Sequence, residues 1–322
     1  MFRRRSVSGI LLGMARGVSC VVSVALGTSS LSAAPVLYVT NYGPFPTGSV
    51  ASVDPATAVV SPWPSASVQS PGAVAVDASG NVYFANNASG NVTKTTPAGV
   101  STVFASAFSG PSGLAFDASG SLFVSNFYSS SIDRIDPSGA RTTFATGLGG
   151  PYMPAFDASG DLFVPSWNTG SIIRITPAGV TSTYATGINS PYAVAFDPVG
   201  TMFVSSYGAN TVVTVTNGGG TLTTFAAGFS GPSGIAFDAA GNLFVADLLT
   251  NTVQKVTPGG VKSTFATGFN QPVGIAFSRA AAVPEIDPRS AAWVMALVVA
   301  LAGIGERRRA ASGHAAVARP AC

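Results

Sequence analysis

Pro111-Ser-Gly-Leu-Ala-Phe-Asp117-Ala-Ser-Gly120 opens a unit that decides the fold of this chain. A short apolar run follows, Leu122-Phe-Val124, then a polar stretch, Ser129-Ser-Ser-Ile-Asp-Arg-Ile-Asp136. Pro137-Ser-Gly139 turns the chain, and Thr142-Thr-Phe-Ala-Thr-Gly147 closes the unit. Its opening proline recurs at Pro71, Pro111, Pro151, Pro191, Pro232 and Pro272, at spacings of 40, 40, 40, 41 and 40 residues. A fixed period of this size marks a stack, an array or a ring of like units.

Each unit carries four short runs rich in Val, Ile, Phe and Thr, which are strand signals when Gly and Pro stand between them. In the second unit they cover 113–117, 122–125, 131–135 and 141–146. The first connection turns on aspartate and glycine. Asp77, Asp117, Asp157, Asp197 and Asp238 can fold a carboxylate onto local N–H groups, and Gly80, Gly120, Gly160, Gly200 and Gly241 take positive φ cheaply. The third connection sets φ with proline and turns with glycine. Gly218-Gly-Gly220 sits at that third connection and is expected to be a hairpin turn, because no strand–loop–helix context for a phosphate loop surrounds it. No apolar period of 3.6 residues is sustained in the repeat region, so helices are not expected there.

Four antiparallel strands in about 40 residues make one propeller blade. A lone blade cannot bury both faces, so Phe123, Phe163, Phe203 and Phe244 are expected to pack between neighbours, with Phe144, Tyr184, Phe225 and Phe265 in register on the fourth strands. The ends complement each other. Runs at 36–40, 49–53 and 58–61 match a blade without its first strand, and 274–278 is a first strand alone. Joined, they close a sixth blade and remove exposed sheet edges. The expectation is an all-β, six-bladed propeller over 35–280.

The segment Pro232–Asp247 carries the family pattern most fully, and the chain from 36 to 278 resembles the NHL-repeat propellers and the streptogramin-lyase-like group. This resemblance implies the fold more than an activity, since such propellers host lyases, hydrolases and binding modules.

Both ends read as addresses. Arg3–Arg5, the apolar runs Ile10–Met14 and Val18–Leu26, and the small residues Ser32-Ala-Ala34 make 1–33 a signal peptide for a signal peptidase. Arg4-Arg5-Ser-Val7 faintly resembles a twin-arginine signal and Gly17-Val-Ser-Cys20 a lipoprotein box, so the export route stays open. At the other end Pro284, Glu285 and Pro288 precede the apolar segment 291–305, and Arg307, Arg308 and Arg309 follow it. This order resembles the PEP-CTERM sorting signals, in a Pro-Glu-Ile-Asp-Pro variant, over 281–322. That resemblance implies processing by exosortase-type machinery and delivery to the cell surface. As a helix, 15 residues reach about 22 Å, short of a hydrocarbon core of about 30 Å, a deficit that snorkelling arginines cover in part. The basic end would stay in the cytoplasm and the propeller outside. The alternative is an unprocessed tail anchor.

The whole chain has a formal charge of +3, but the repeat region does not. Seven basic residues against ten aspartates between 35 and 280 leave −3 there, so no nucleic-acid footprint exists. Cys20 and Cys322 lie outside the repeats, which therefore hold no disulfide. More telling is that the repeats contain no histidine and no glutamate. Acid–base catalysis wants a group poised near neutral pH, most often histidine. The lyases of the resembled group rely on histidine, and related hydrolases bind metal through glutamate and asparagine. No zinc site can be assembled either.

Aspartate is the one carboxylate left. Five are turn residues, and Asp54, Asp133, Asp136 and Asp161 are expected in solvent. Asp247 ends a second strand, in register with Asn41, Asn86, Asn126, Ser166 and Ser206. These six are expected to ring the axis, either as a hydrogen-bonded polar rim or as oxygen ligands for Ca²⁺; no other cofactor is expected. The loops beyond them carry Tyr42, Phe45, Phe127, Tyr128, Trp167 and Tyr207, with Asn87 and Asn168 beside them. The blade-to-blade connections carry Tyr152, Tyr192, Phe229 and Phe269. Such rings either pack the loops onto the blades or offer a face to a glycan or protein ligand. The expectation is an exported, surface-sorted binding or scaffold module. The alternatives are a streptogramin-lyase-like or lactonase-like enzyme with an atypical site, and a structural coat component.

Overall fold

A computed structural model describes residues 35–43, 48–63 and 68–278. The sequence readings on 1–33 and 281–322, and Phe45, lie outside these residues. Among the described residues no helix is long and apolar enough to cross a membrane.

The chain forms six four-stranded antiparallel sheets. Blade 1 is Pro71–Val76, Val82–Asn86, Asn91–Thr95 and Ser101–Ser106. Blade 2 is Pro111–Phe116, Leu122–Asn126, Ser131–Ile135 and Arg141–Ala145. Blade 3 is Ala155–Phe156, Leu162–Ser166, Ser171–Ile175 and Thr181–Thr186. Blade 4 is Pro191–Phe196, Met202–Ser206, Thr211–Thr216 and Thr221–Ala227. Blade 5 is Pro232–Phe237, Leu243–Asp247, Thr252–Val256 and Lys262–Thr267. Blade 6 takes its first strand, Pro272–Phe277, from the far end of the repeats and the other three, Leu37–Asn41, Ser49–Val53 and Val60–Pro62, from the near end. Leu37 pairs with Phe277 and Val39 with Ile275, and Ser278 N–H donates to the Val36 carbonyl at 2.7 Å. The ring is thus closed by strand pairing between residues more than two hundred positions apart in the chain.

The turns follow the reading of the sequence. Asp77 Oδ1 accepts the N–H groups of Ser79 and Asn81 at 2.9 and 2.8 Å, and the same pair of bonds recurs at Asp117, Asp157, Asp197 and Asp238. The glycine of each turn has φ between 78° and 87°. The triple glycine at 218–220 belongs to the turn between the third and fourth strands of blade 4 and includes a short 3₁₀ segment, Asn217–Gly219.

Ring trios fasten blade to blade. Phe123 stands edge-on to Phe144 of its own blade at 4.9 Å and to Phe156 of the next at 5.0 Å. The pattern repeats around Tyr83, Phe163, Phe203 and Phe244, with ring centroids 4.8–5.5 Å apart. Such contacts add about 0.5–1.5 kcal/mol each to the burial of the rings themselves.

Two aspartates are not in solvent. Asp133 and Asp161 are buried. Asp133 pairs with Arg141 at 2.6 Å and also receives Thr143 and Asn126. Asp161 pairs with Arg174. Burying a carboxylate is costly unless a cation and further donors meet it. Both arginines reach across from adjacent strands to do so. Arg141 also lies 4.0 Å over the Phe108 ring and donates to the Ser106 and Ala107 carbonyls of blade 1, which straps two blades together.

Candidate functional site

Each first strand runs away from one end of the axis, and each second strand returns to it. Two rings of residues therefore meet at that end. The inner ring is the second residue of each first-strand repeat: Gly72, Ser112, Tyr152, Tyr192, Ser233 and Val273. The outer ring is the residue after each second strand: Tyr42, Asn87, Phe127, Trp167, Tyr207 and Leu248. Every outer-ring N–H donates to the carbonyl just before the opening proline of its own blade, at 2.9–3.2 Å. Those six linker residues all have positive φ, from 47° to 72°. Glycine fills the position in blades 2, 3 and 5, and elsewhere serine or glutamine accepts the strain.

These residues, Ser233 excepted, line a pocket of about 310 Å³, together with Tyr128. Seven of the ten aromatic residues expected from the sequence, namely Tyr42, Phe127, Tyr128, Tyr152, Trp167, Tyr192 and Tyr207, are in its wall. Asn87 also lines it, while Asn168 does not. The wall is lopsided. Blades 2 to 4 supply six of the rings, and the facing blades 5, 6 and 1 supply Leu248, Val273, Tyr42, Gly72 and Asn87. Tyr152 stacks on Tyr192 at 4.3 Å with 27° between their planes, and Trp167 leans on Tyr207 at 5.4 Å.

Blade 3 explains that stack. It reads Pro151-Tyr-Met-Pro154 where blade 2 reads Pro111-Ser-Gly-Leu114. Pro154 has no N–H to give to a ladder, and the inner strand leaves its own blade at Met153 and Pro154, while Tyr152 N–H still donates to the Pro165 carbonyl at 3.0 Å. Met153 N–H instead donates to the Tyr192 carbonyl and its carbonyl accepts the Val194 N–H, at 3.0 and 3.1 Å. The inner strands of blades 3 and 4 are thereby stitched together and their tyrosines aligned. The sequence reading missed this seam; the second proline of the unit was its signal.

Below the rings the axis is packed. Ala73, Leu114, Met153, Ala193, Ile235 and Val273 belong to one buried cluster. A Cβ on Gly113 would lie 2.2 Å from the Tyr152 carbonyl oxygen, and one on Gly234 2.4 Å from that of Val273. The pocket is a cup with a floor.

The polar rim expected at the second-strand ends is elsewhere. Asn41, Asn86, Asn126 and Asp247 are buried and none lines the cup. They clasp the linkers between blades. Asn86 Oδ1 accepts the Gln69 N–H at 3.1 Å, Asn41 Oδ1 that of Asn270 at 3.3 Å, and Asp247 Oδ1 that of Ser230 at 2.7 Å. Ser166 and Ser206 donate to linker carbonyls instead. Asn126 turns its amide N–H to Asp133, which leaves its buried Oδ1 unpartnered. Among the described residues no three His, Cys, Asp or Glu side chains gather as a metal site. The Ca²⁺ expectation therefore has only Asp247, and its oxygen is engaged. Phe229 and Phe269 are likewise core residues, buried between blades rather than offered on the face.

Among the described residues no charged side chain lines the cup. Burial pushes the Tyr152 phenol up to about 12, with Tyr42, Tyr128 and Tyr207 adding to the shift. Burial raises Tyr192 well above the ordinary phenol value, helped by Tyr152, Tyr42 and Tyr207. Both stay protonated at neutral pH and act as neutral hydrogen-bonding groups.

The fold and the cup define a six-bladed β-propeller with a blind axial pocket. Residues 62–283 match the Virginiamycin B lyase family, and the chain belongs to it. No curated protein matches the chain. Among solved structures it is similar to a streptogramin B lyase (15% identity, TM-score 0.59, 74% of this chain and 91% of that one). It is also similar to a catalytically inactive histidine-to-alanine variant of the virginiamycin B lyase of Staphylococcus aureus with quinupristin (15%, 0.56, 72% and 85%). A chain of a nidogen/laminin complex is another neighbour (18%, 0.67, 76% and 99%). Identities this low speak for the fold alone.

Proposed function

We propose that this protein is an exported, surface-sorted propeller that binds an uncharged ligand, a glycan or a peptide, in the aromatic cup and does not turn it over. One observation carries the proposal: seven aromatic rings line a cup with no charged side chain among the described residues. Ring faces supply apolar contact, and the phenols, Ser112 and Asn87 supply neutral hydrogen bonds. Export and sorting rest on the two ends of the sequence, 1–33 and 281–322.

The second reading is an enzyme of the lyase or lactonase kind, and family membership favours it. A histidine-to-alanine change inactivates the S. aureus enzyme, whereas this chain has no histidine between 35 and 280. An enzymatic site here would have to work without one. Incubating the purified protein with streptogramin B and lactone substrates, while measuring binding of neutral glycans and capped peptides by calorimetry, separates the two. Binding without product formation supports the module. Turnover of either substrate by the purified protein supports the enzyme.

A further inference from the structure

We propose that the cup takes the terminal unit of a neutral glycan chain, end-on. This rests on the binding role given to the cup above and names its ligand. The floor decides the geometry. Ala73, Leu114, Met153, Ala193, Ile235 and Val273, one from the inner strand of each blade, are buried in a single cluster and leave no passage along the axis among the described residues, so a polymer cannot thread through. A volume of about 310 Å³ is at the lower end of the roughly 300–1,000 Å³ of small-molecule sites, which suits one end of a chain rather than a wrapped length of it.

Charge decides the class. The end of an unmodified peptide carries an ammonium or a carboxylate, and burying either without a partner is costly. The cup offers no countercharge. A neutral glycan ends in hydroxyls.

The lopsided wall fits a sugar ring, which has an apolar face and a hydroxyl edge. Trp167 and Tyr207 of blades 3 and 4 stand on one side, and Asn87 of blade 1 on the other. Tyr192 is buried at the floor, whereas Tyr128 is 71% exposed at the lip. Tyr128 is placed to meet the second unit as the chain leaves.

Calorimetric titration of the purified full-length protein tests this. The probes are linear hexasaccharides of glucose, mannose, galactose and N-acetylglucosamine, a cyclic glucose hexasaccharide, and an acetylated, amidated aromatic tetrapeptide. At least one linear glycan should bind. For that sugar, affinity counted per chain end should change less than about threefold between the trisaccharide and a long polymer. Oxidising its terminal unit to a uronate should weaken binding at least tenfold, and Trp167→Ala at least fivefold. Equal binding of the cyclic glycan, or affinity that grows with the number of internal units, overturns end-on capture but leaves the cup a binding site. Binding of the capped peptide alone overturns the glycan and leaves the cup. No binding by any probe overturns both.

Discussion

Two sets of aromatic rings occupy this propeller, and they obey different rules. The rings between blades recur at one register: Tyr83, Phe123, Phe163, Phe203 and Phe244 each meet a fourth-strand ring and a ring of the next blade. The rings of the cup recur only in part, at four of the six outer-ring positions and two of the six inner-ring positions. Tyr152 and Tyr192 stand where blades 2 and 5 carry serine, and Trp167 where blade 5 carries leucine. A repeated ring serves an interface that every blade must make. An unrepeated ring breaks the sixfold pattern at one place, where the ring of blades has no structural need of it. In a repeat protein the shared residues build the fold, and the departures from them locate the site.

This contrast can be broken experimentally, beginning with the interblade rings. Phe244→Ala removes the centre of a buried trio and should cost about 3–5 kcal/mol. For a domain of this size that is a fall of about 10 °C in Tm by calorimetry. Ligand affinity of the folded protein should be unchanged. The double change Trp167→Ala, Tyr207→Ala should do the reverse. Ligand affinity should fall by about 1–3 kcal/mol, or roughly 5- to 150-fold, while Tm falls less than in Phe244→Ala, because both rings are only partly buried.

The smallest effect concerns Asp247. Burial raises its carboxyl above the usual range, against the lowering pull of the Ser230 N–H, Thr250 and Lys262. The folded state therefore holds the proton more tightly than the unfolded one. Stability is lost as pH rises from the unfolded value of about 4 through the folded one. Asp247→Asn keeps the oxygen that clasps the linker, as Asn41 and Asn86 do, and removes the charge. Tm should rise by a few degrees at most at pH 7 and match the wild type near pH 3.

The sixfold ring was legible because its period, its Asp-Gly turns and its complementary ends are local patterns. The cup aromatics were legible because strand ends set their register. The role of Asn41, Asn86, Asn126 and Asp247 was not. Register brings them to the right end of the blade, but the linker that passes beside Asn41, Asn86 and Asp247, and Asp133 beside Asn126, takes their hydrogen bonds first. Asp133 was misread as solvated because its partner Arg141 is eight residues away, across a hairpin with a shifted register. The seam between blades 3 and 4 depends on Pro154, whose effect appears only when a neighbouring inner strand is there to accept the freed backbone.

The most direct test recasts blade 3 with the residues of blade 5. Tyr152→Ser and Trp167→Leu copy Ser233 and Leu248 and leave every interblade trio in place. Calorimetric titration of this variant with a ligand that the wild type binds measures whether departures from the repeat make the site. The account predicts a folded propeller, with its trios intact, that binds at least tenfold more weakly. A folded variant with wild-type affinity would contradict it.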